Sequence, residues 1–171
     1  MKVRMGFVSN SSSSSFVVAF NKEPKTIEDV KKQMFGNEKE FEHPYDDNRV
    51  TTLQIAETIF NDIKKQKVNN RTEIFEAIAN GWFDGRPECN YLLSYPQDKD
   101  PEKIKEFELQ EKEHNKQCKE TAEKFVNKFI EDNKGKFIYT FHYGDNDGRY
   151  YCLLEHGKIF SKLNHIQTSY H

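Results

Sequence analysis

Cysteine is scarce in this sequence. Cys89, Cys118 and Cys152 are an odd number at wide spacing, with no Cys-x-x-Cys pair. That argues against a disulfide framework and the usual zinc patterns, and it fits reduced thiols in a cytoplasm. Long apolar runs are missing as well; none approaches the roughly 20 residues that cross a bilayer as a helix. Met1-Lys2-Val3-Arg4-Met5 has the charge of a signal-peptide start, but serines stand where its apolar stretch belongs. The protein is expected to stay where it is made, in the cytoplasm. In that setting the acceptor patterns Asn10-Ser11-Ser12 and Asn70-Arg71-Thr72 mean nothing. There is no basic excess: 26 Lys+Arg face 28 Asp+Glu, a net charge of -2. Dedicated nucleic-acid binding is therefore not expected. No Walker loop, no Gly-x-Gly-x-x-Gly and no Gly-x-Ser-x-Gly elbow occurs.

Aromatic residues are plentiful, with 14 Phe and 8 Tyr in 171 residues, although hydrophobic residues make up only 35%. Such bulk works against disorder. The length suits a single domain, residues 1–171, able to bury a core without staples. Residues 2–8 read as a short strand and 9–15 as a polar, turn-like connection. Phe16-Val17-Val18-Ala19-Phe20 is a strand. Thr26, with Asp29 three residues on, signals a helix start, and Gly36 its end. Residues 37–50 read as a loop. Thr51 or Thr52 caps a second helix with Leu53, Ile55, Ala56, Ile59, Phe60 and Ile63 at helical spacing. Asn70 caps a third, which ends at Gly81, and 82–100 are irregular. Pro101 starts the longest helix, to about residue 133. Its apolar stripe is greasy at both ends and polar in the middle.

Phe137 to Tyr143 alternate as a strand. Gly144-Asp145-Asn146-Asp147-Gly148 reads as a turn, with Tyr150 to Glu155 returning as the partner strand. The last eleven residues are mixed. Strands and helices segregate along the chain, which implies an α+β fold. We expect a small antiparallel sheet, formed by the N-terminal strand or hairpin and the C-terminal hairpin. Several helices, one of them long, should cover one face.

His142, Asp145, Asp147, Glu155, His156, His165 and His171 give the C-terminal part a metal-like composition. If the hairpin is symmetric about Asn146, His142 faces Tyr150 and His156 lies about 20 Å further along the sheet. The two could not share an ion, and no metal or cofactor is assigned. Asp145-Asn146-Asp147-Gly148 resembles a calcium loop. In that register Tyr143 and Leu154 fall on ligand positions, so it is read as a turn. Glu155, His156 and His165 are candidate acid–base residues; the alternative is a polar strand exit. Cys89 could be a nucleophile near His43 or His114. Trp82, Phe83, Tyr91 and Tyr95 are either partner anchors or a loop packed on the helices. Ser9, Asn10, Ser11, Ser12, Ser13, Ser14 and Ser15 admit three readings: an anion-binding turn, a modified turn, or a tolerant polar connection.

The string Gly6-Phe7-Val8-Ser9-Asn10-Ser11-Ser12-Ser13-Ser14-Ser15-Phe16 resembles the opening of a group of uncharacterised bacterial and bacteriophage proteins. The tail, Leu154-Glu155-His156-Gly157 through His171, is loosely similar to the ends of some members. The resemblance implies a bacterial or phage origin and a host cytoplasm. It implies no particular activity. It also favours a specific role for the serine run, since a merely tolerant loop need not recur as one string. Three functions are compatible with the sequence. The leading one is a non-enzymatic accessory protein that binds a host or phage protein. The others are a small enzyme acting on a phosphate-bearing substrate through the C-terminal His and Glu residues, and a virion structural component.

Overall fold

Phe16 to Phe20 contain no polar residue, so this strand has no face to give to water. A strand of that kind is stable only when both of its faces are covered. The computed structural model of the chain describes residues 13–42, 49–79, 83, 95–96, 99–144, 151–156 and 158–170. In it β1 (Ser13–Phe20) is the central strand of a three-stranded antiparallel sheet, flanked by β4 (Phe137–Gly144) and β5 (Asn164–Tyr170). Phe16 pairs with Phe141 and Gln167, and Val18 with Tyr139 and His165.

The chain is α+β, as its segregated elements imply. The remaining elements are α1 (Ile27–Phe35), β2 (Glu40–Glu42), β3 (Arg49–Thr51), α2 (Thr52–Lys64), α3 (Arg71–Ala79), α4 (Pro101–Asp132) and α5 (Tyr151–His156). The helices cover both faces of the sheet, not one. On the aromatic face, Phe16, Val18, Phe20, Tyr139, Phe141 and Tyr143 pack with α1, α2, α5 and residues 159–163. On the aliphatic face, Val17, Ala19, Ile138 and Ile166 pack with α3, Phe83 and the second half of α4. Burial at roughly 25 cal/mol per Å² of apolar surface makes these two layers the main source of stability.

The helix starts follow their sequence signals. Thr26 and Asp29 form a reciprocal capping box, as do Thr51 and Gln54. These bonds satisfy N–H groups that a helix cannot satisfy itself. Hydrogen bonding from the Thr26 side chain, and then from the Lys25 and Thr26 N–H groups, holds the Asp29 carboxyl below the usual 3.8. Asn70 Oδ1 accepts from the Thr72 and Glu73 N–H groups at 2.9 and 3.1 Å. Asp100 caps α4, with Pro101 in its first turn. Gly36, at φ 64°, ends α1 in a conformation that a side chain would strain.

Four expectations are corrected. The C-terminal hairpin does not form: residues 151–156 are helical, and β4 pairs with β1 instead. The run Tyr150-Tyr151-Cys152-Leu153-Leu154 does not alternate, and such a run fits a buried helix as well as a strand. Leu153 and Leu154 are both buried against the aromatic face. The mixed tail contains β5. Ser13, Ser14 and Ser15 belong to β1 and not to a turn. The loop at 37–50 contains the two-stranded pair β2–β3. The strand expected at 2–8, the serines before Ser13 and the turn at 145–148 lie outside the described residues.

Candidate functional site

The register brings three polar stretches to one end of the sheet. Ser13 lies between Gly144 and Tyr170, and Ser15 between His142 and Thr168. Residues directly opposite on neighbouring strands share a face. Ser15, His142 and Thr168 therefore lie on the aliphatic side, and Ser14 and Gln167 on the aromatic side.

On the aliphatic side Ser15 Oγ is 2.8 Å from His142 Nδ1. Ser15 is buried, and the His142 side chain is exposed. The buried Thr168 hydroxyl has two carbonyls within reach of its one proton, that of Ser15 at 3.5 Å and that of Ala77 in α3 at 3.4 Å. On the aromatic side Gln167 Nε2 donates to Ser14 Oγ at 3.5 Å and to the Glu155 carbonyl at 3.3 Å. Ser14 and Glu155 are 2% and 1% exposed. This closes Ser14 to a modifying enzyme in the folded protein.

Of the candidate acid–base residues, Glu155 and His165 lie on the aromatic side of the sheet, and the side chain of His156 is not among those described. Glu155 sits in α5 with its carbonyl bonded to Gln167 of β5, on the aromatic side and across the sheet from His142. His165, level with Val18, lies about three residues, or roughly 10 Å, from Ser15 along the strand direction. Its Nδ1 is 3.0 Å from the Leu163 carbonyl, and its ring lies 6.3 Å from that of Phe160. His142 pairs in register with Ser15 rather than with Tyr150, which removes the spacing argument built on the hairpin. The side chain of His156, Ser9 to Ser12, Asn10 and His171 fall outside the description. Among the described residues no three His, Cys, Asp or Glu side chains gather as a metal would need.

His114 meets Cys118 one turn on in α4, with Nε2 and Sγ 3.3 Å apart; Cys89 and His43 lie outside the described residues. Of the loop aromatics, Phe83 is 6% exposed and stacks on Phe125 at 5.3 Å, inside the aliphatic-side core. Tyr95 is 49% exposed and meets Phe107 edge-on at 5.5 Å. Trp82 and Tyr91 are outside the described residues. Sequence reasoning did not single out Gln167 and Thr168, although the alternation His165-Ile166-Gln167-Thr168-Ser169 is a strand signal.

The second surface is α4 itself. Its 32 residues span about 48 Å at 1.5 Å per residue. Cys118, Ala122, Val126 and Phe129 are buried, yet no residue from Pro101 to Gln117 is. This outer half carries five Glu and four Lys. It leaves Leu109 68% exposed on the side away from Phe107 and Tyr95. No helix among the described residues is long and apolar enough to cross a membrane. Against known proteins, no family model, no curated sequence and no solved structure matches the chain.

Proposed function

We propose that this chain is a non-enzymatic accessory protein of a phage or bacterium. It binds a protein partner in the host cytoplasm through the outer half of α4. The observation that carries this reading is the 17-residue stretch Pro101–Gln117, helical throughout and nowhere buried. Isolated helices of that length are marginal in water. This one is held by its Asp100 cap, by Tyr95 against Phe107, and by the packed half beyond Cys118. Such a helix offers a partner a preformed surface, with little ordering left to cost affinity. Its mixed charge suits a protein rather than a nucleic acid. Leu109 on one side and Tyr95 on the other supply apolar and aromatic anchors of the kind that dominate interfaces.

The enzyme reading draws on the Ser15–His142 pair. Its weakness is the placement of Glu155 and His165 on the other side of the sheet from His142.

The test is capture from host or infected cells with the wild-type chain and with Leu109→Arg and Tyr95→Ala. Leu109 touches nothing that holds the helix, so Leu109→Arg should fold as the wild type does, and circular dichroism checks that Tyr95→Ala keeps its helix without the Phe107 contact. A partner recovered by the wild type and reduced at least several-fold by one variant is the expected result. No partner above background, or equal recovery by all three proteins, would refute the reading.

A further inference from the structure

The two edges of the central sheet are not alike. On the β4 edge, Ile138 O accepts from the Asn69 N–H at 2.8 Å, and the Thr140 N–H donates to Gln66 Oε1 at 3.2 Å. Thr140 Oγ1 also donates to Asn69 Oδ1 at 2.8 Å. The segment between α2 and α3 thus covers that edge. These bonds also fix the phase of the ladder. In an antiparallel sheet, alternate residues turn their main-chain groups to opposite sides. Ile138 and Thr140 point away from β1, so β4 bonds to β1 through Phe137, Tyr139, Phe141 and Tyr143. Those pair with the even-numbered residues of β1. The odd-numbered residues remain for β5, where they meet Asn164, Ile166, Thr168 and Tyr170. The main chain of His165, Gln167 and Ser169 therefore points outward.

β5 is an edge strand, and nothing among the described residues bonds the outward main chain of His165 or Gln167. Gln167 is exposed and His165 half-buried. Edge strands normally carry a charge, a proline or a bulge that prevents pairing. Asn164–Tyr170 has no charged residue and no proline, and its register with β1 runs without a bulge. In a chain that is 32% charged, this strand itself carries none of these devices.

We infer that β5 pairs antiparallel with the β5 of a second copy of this chain, joining two three-stranded sheets into one of six strands. A two-fold axis at Gln167 places Gln167 opposite its own copy, His165 opposite Ser169, and Ile166 opposite Thr168. The three outward residues of each strand then exchange about six main-chain hydrogen bonds. No Lys, Arg, Asp or Glu meets across the axis. A second copy therefore brings no like charges together, which would otherwise oppose pairing of identical strands. Two-fold pairing of this kind is also the commonest form of self-assembly. A seven-residue ladder buries less than a standard interface, so the dimer is weak and reversible.

Sedimentation velocity of the full chain over a roughly hundredfold range of concentration tests this. The comparison includes Gln167→Lys, which sets two charges against each other at the axis, and Gln167→Pro, which removes an outward N–H that no bond among the described residues uses. The wild type should pass from monomer to dimer, and each variant should dimerise at least ten times more weakly with its circular dichroism unchanged. Amide exchange of the wild type provides a check that depends on no variant. The Gln167 amide should gain protection as concentration rises. A wild type that stays monomeric overturns the proposal, as does a dimer indifferent to both changes, or a dimer lost in Leu109→Arg but kept in Gln167→Lys. Protection of Gln167 that appears only when another protein is added assigns the edge to that protein and overturns it equally.

Discussion

Phe160 is the side chain on which the aromatic face closes. It is fully buried, with ring centroids 5.3 Å from Phe16 and 5.2 Å from Phe141. Phe160→Ala removes a ring from a packed site, a change that costs about 3–5 kcal/mol. Each ring pair adds about 0.5–1.5 kcal/mol beyond area burial, so two pairs place this site toward the upper end, near 4–5 kcal/mol. That is a large share of the roughly 5–15 kcal/mol that keeps a domain folded. At about 2–4 °C per kcal/mol for a chain of this size, the melting temperature should fall by about 8–20 °C. Urea unfolding followed by circular dichroism measures the same loss as a lower midpoint at unchanged slope. Phe160→Leu keeps most of the volume and should lose far less. A fall below about 4 °C for the alanine variant would refute the reasoning. The segment 159–163 would then be resting on the sheet rather than closing it.

Thr51→Ala breaks the capping box of α2 and should cost about 1 kcal/mol, read as a lower thermal midpoint. An unchanged midpoint would mean that the Thr51–Gln54 bonds add nothing in water. Burial raises the Tyr139 phenol above its ordinary 10.0, with the charge of Glu23 adding to the effect. A raised folded value means that this contribution is complete below the ordinary value and is lost as pH rises through the folded one. Tyr139→Phe should therefore match the wild type at pH 7 and unfold at higher pH in an alkaline titration. Identical alkaline midpoints would exclude Tyr139 as a cause.

The helices were legible because their signals are local. Thr26, Thr51 and Asn70 each mark a start through bonds that span two or three residues, Pro101 marks one by its fixed backbone angle and missing N–H, and the periodic apolar positions of α2 lie within a single element. The sheet was legible only in part. The alternation of Phe137, Tyr139, Phe141 and Tyr143 gives β4 and its aromatic face, but no local signal says which strand β4 joins. The turn residues 144–148 suggested the nearest partner, and the structure chose one 127 positions away, at Ser15. Phe16 to Phe20 carried an unused clue, since a strand with no polar face must be covered twice. The site suffered from the same limit. Ser15 and His142 meet through strand pairing, and neither residue announces the other. Leu109 lies on the side of α4 away from the Phe107 stripe, so the stripe did not announce its exposure, and the open edge of β5 could not be read before β5 itself was known.

The central place of β1 has a consequence for how the chain is made. Its serines pair with residues 127 and 153 positions further on, at His142 and Thr168. α1 and α2 pack as neighbours in sequence and can form while the ribosome is still working. β1 leaves the ribosome before β4 and β5, and must wait for them before either of its sides is filled. Contacts so distant in sequence slow folding. During that wait Phe16-Val17-Val18-Ala19-Phe20 is an uncharged apolar strand with two open sides, the kind of segment that aggregates or recruits a chaperone. The polar serines directly ahead of it are then the first protection the nascent strand has.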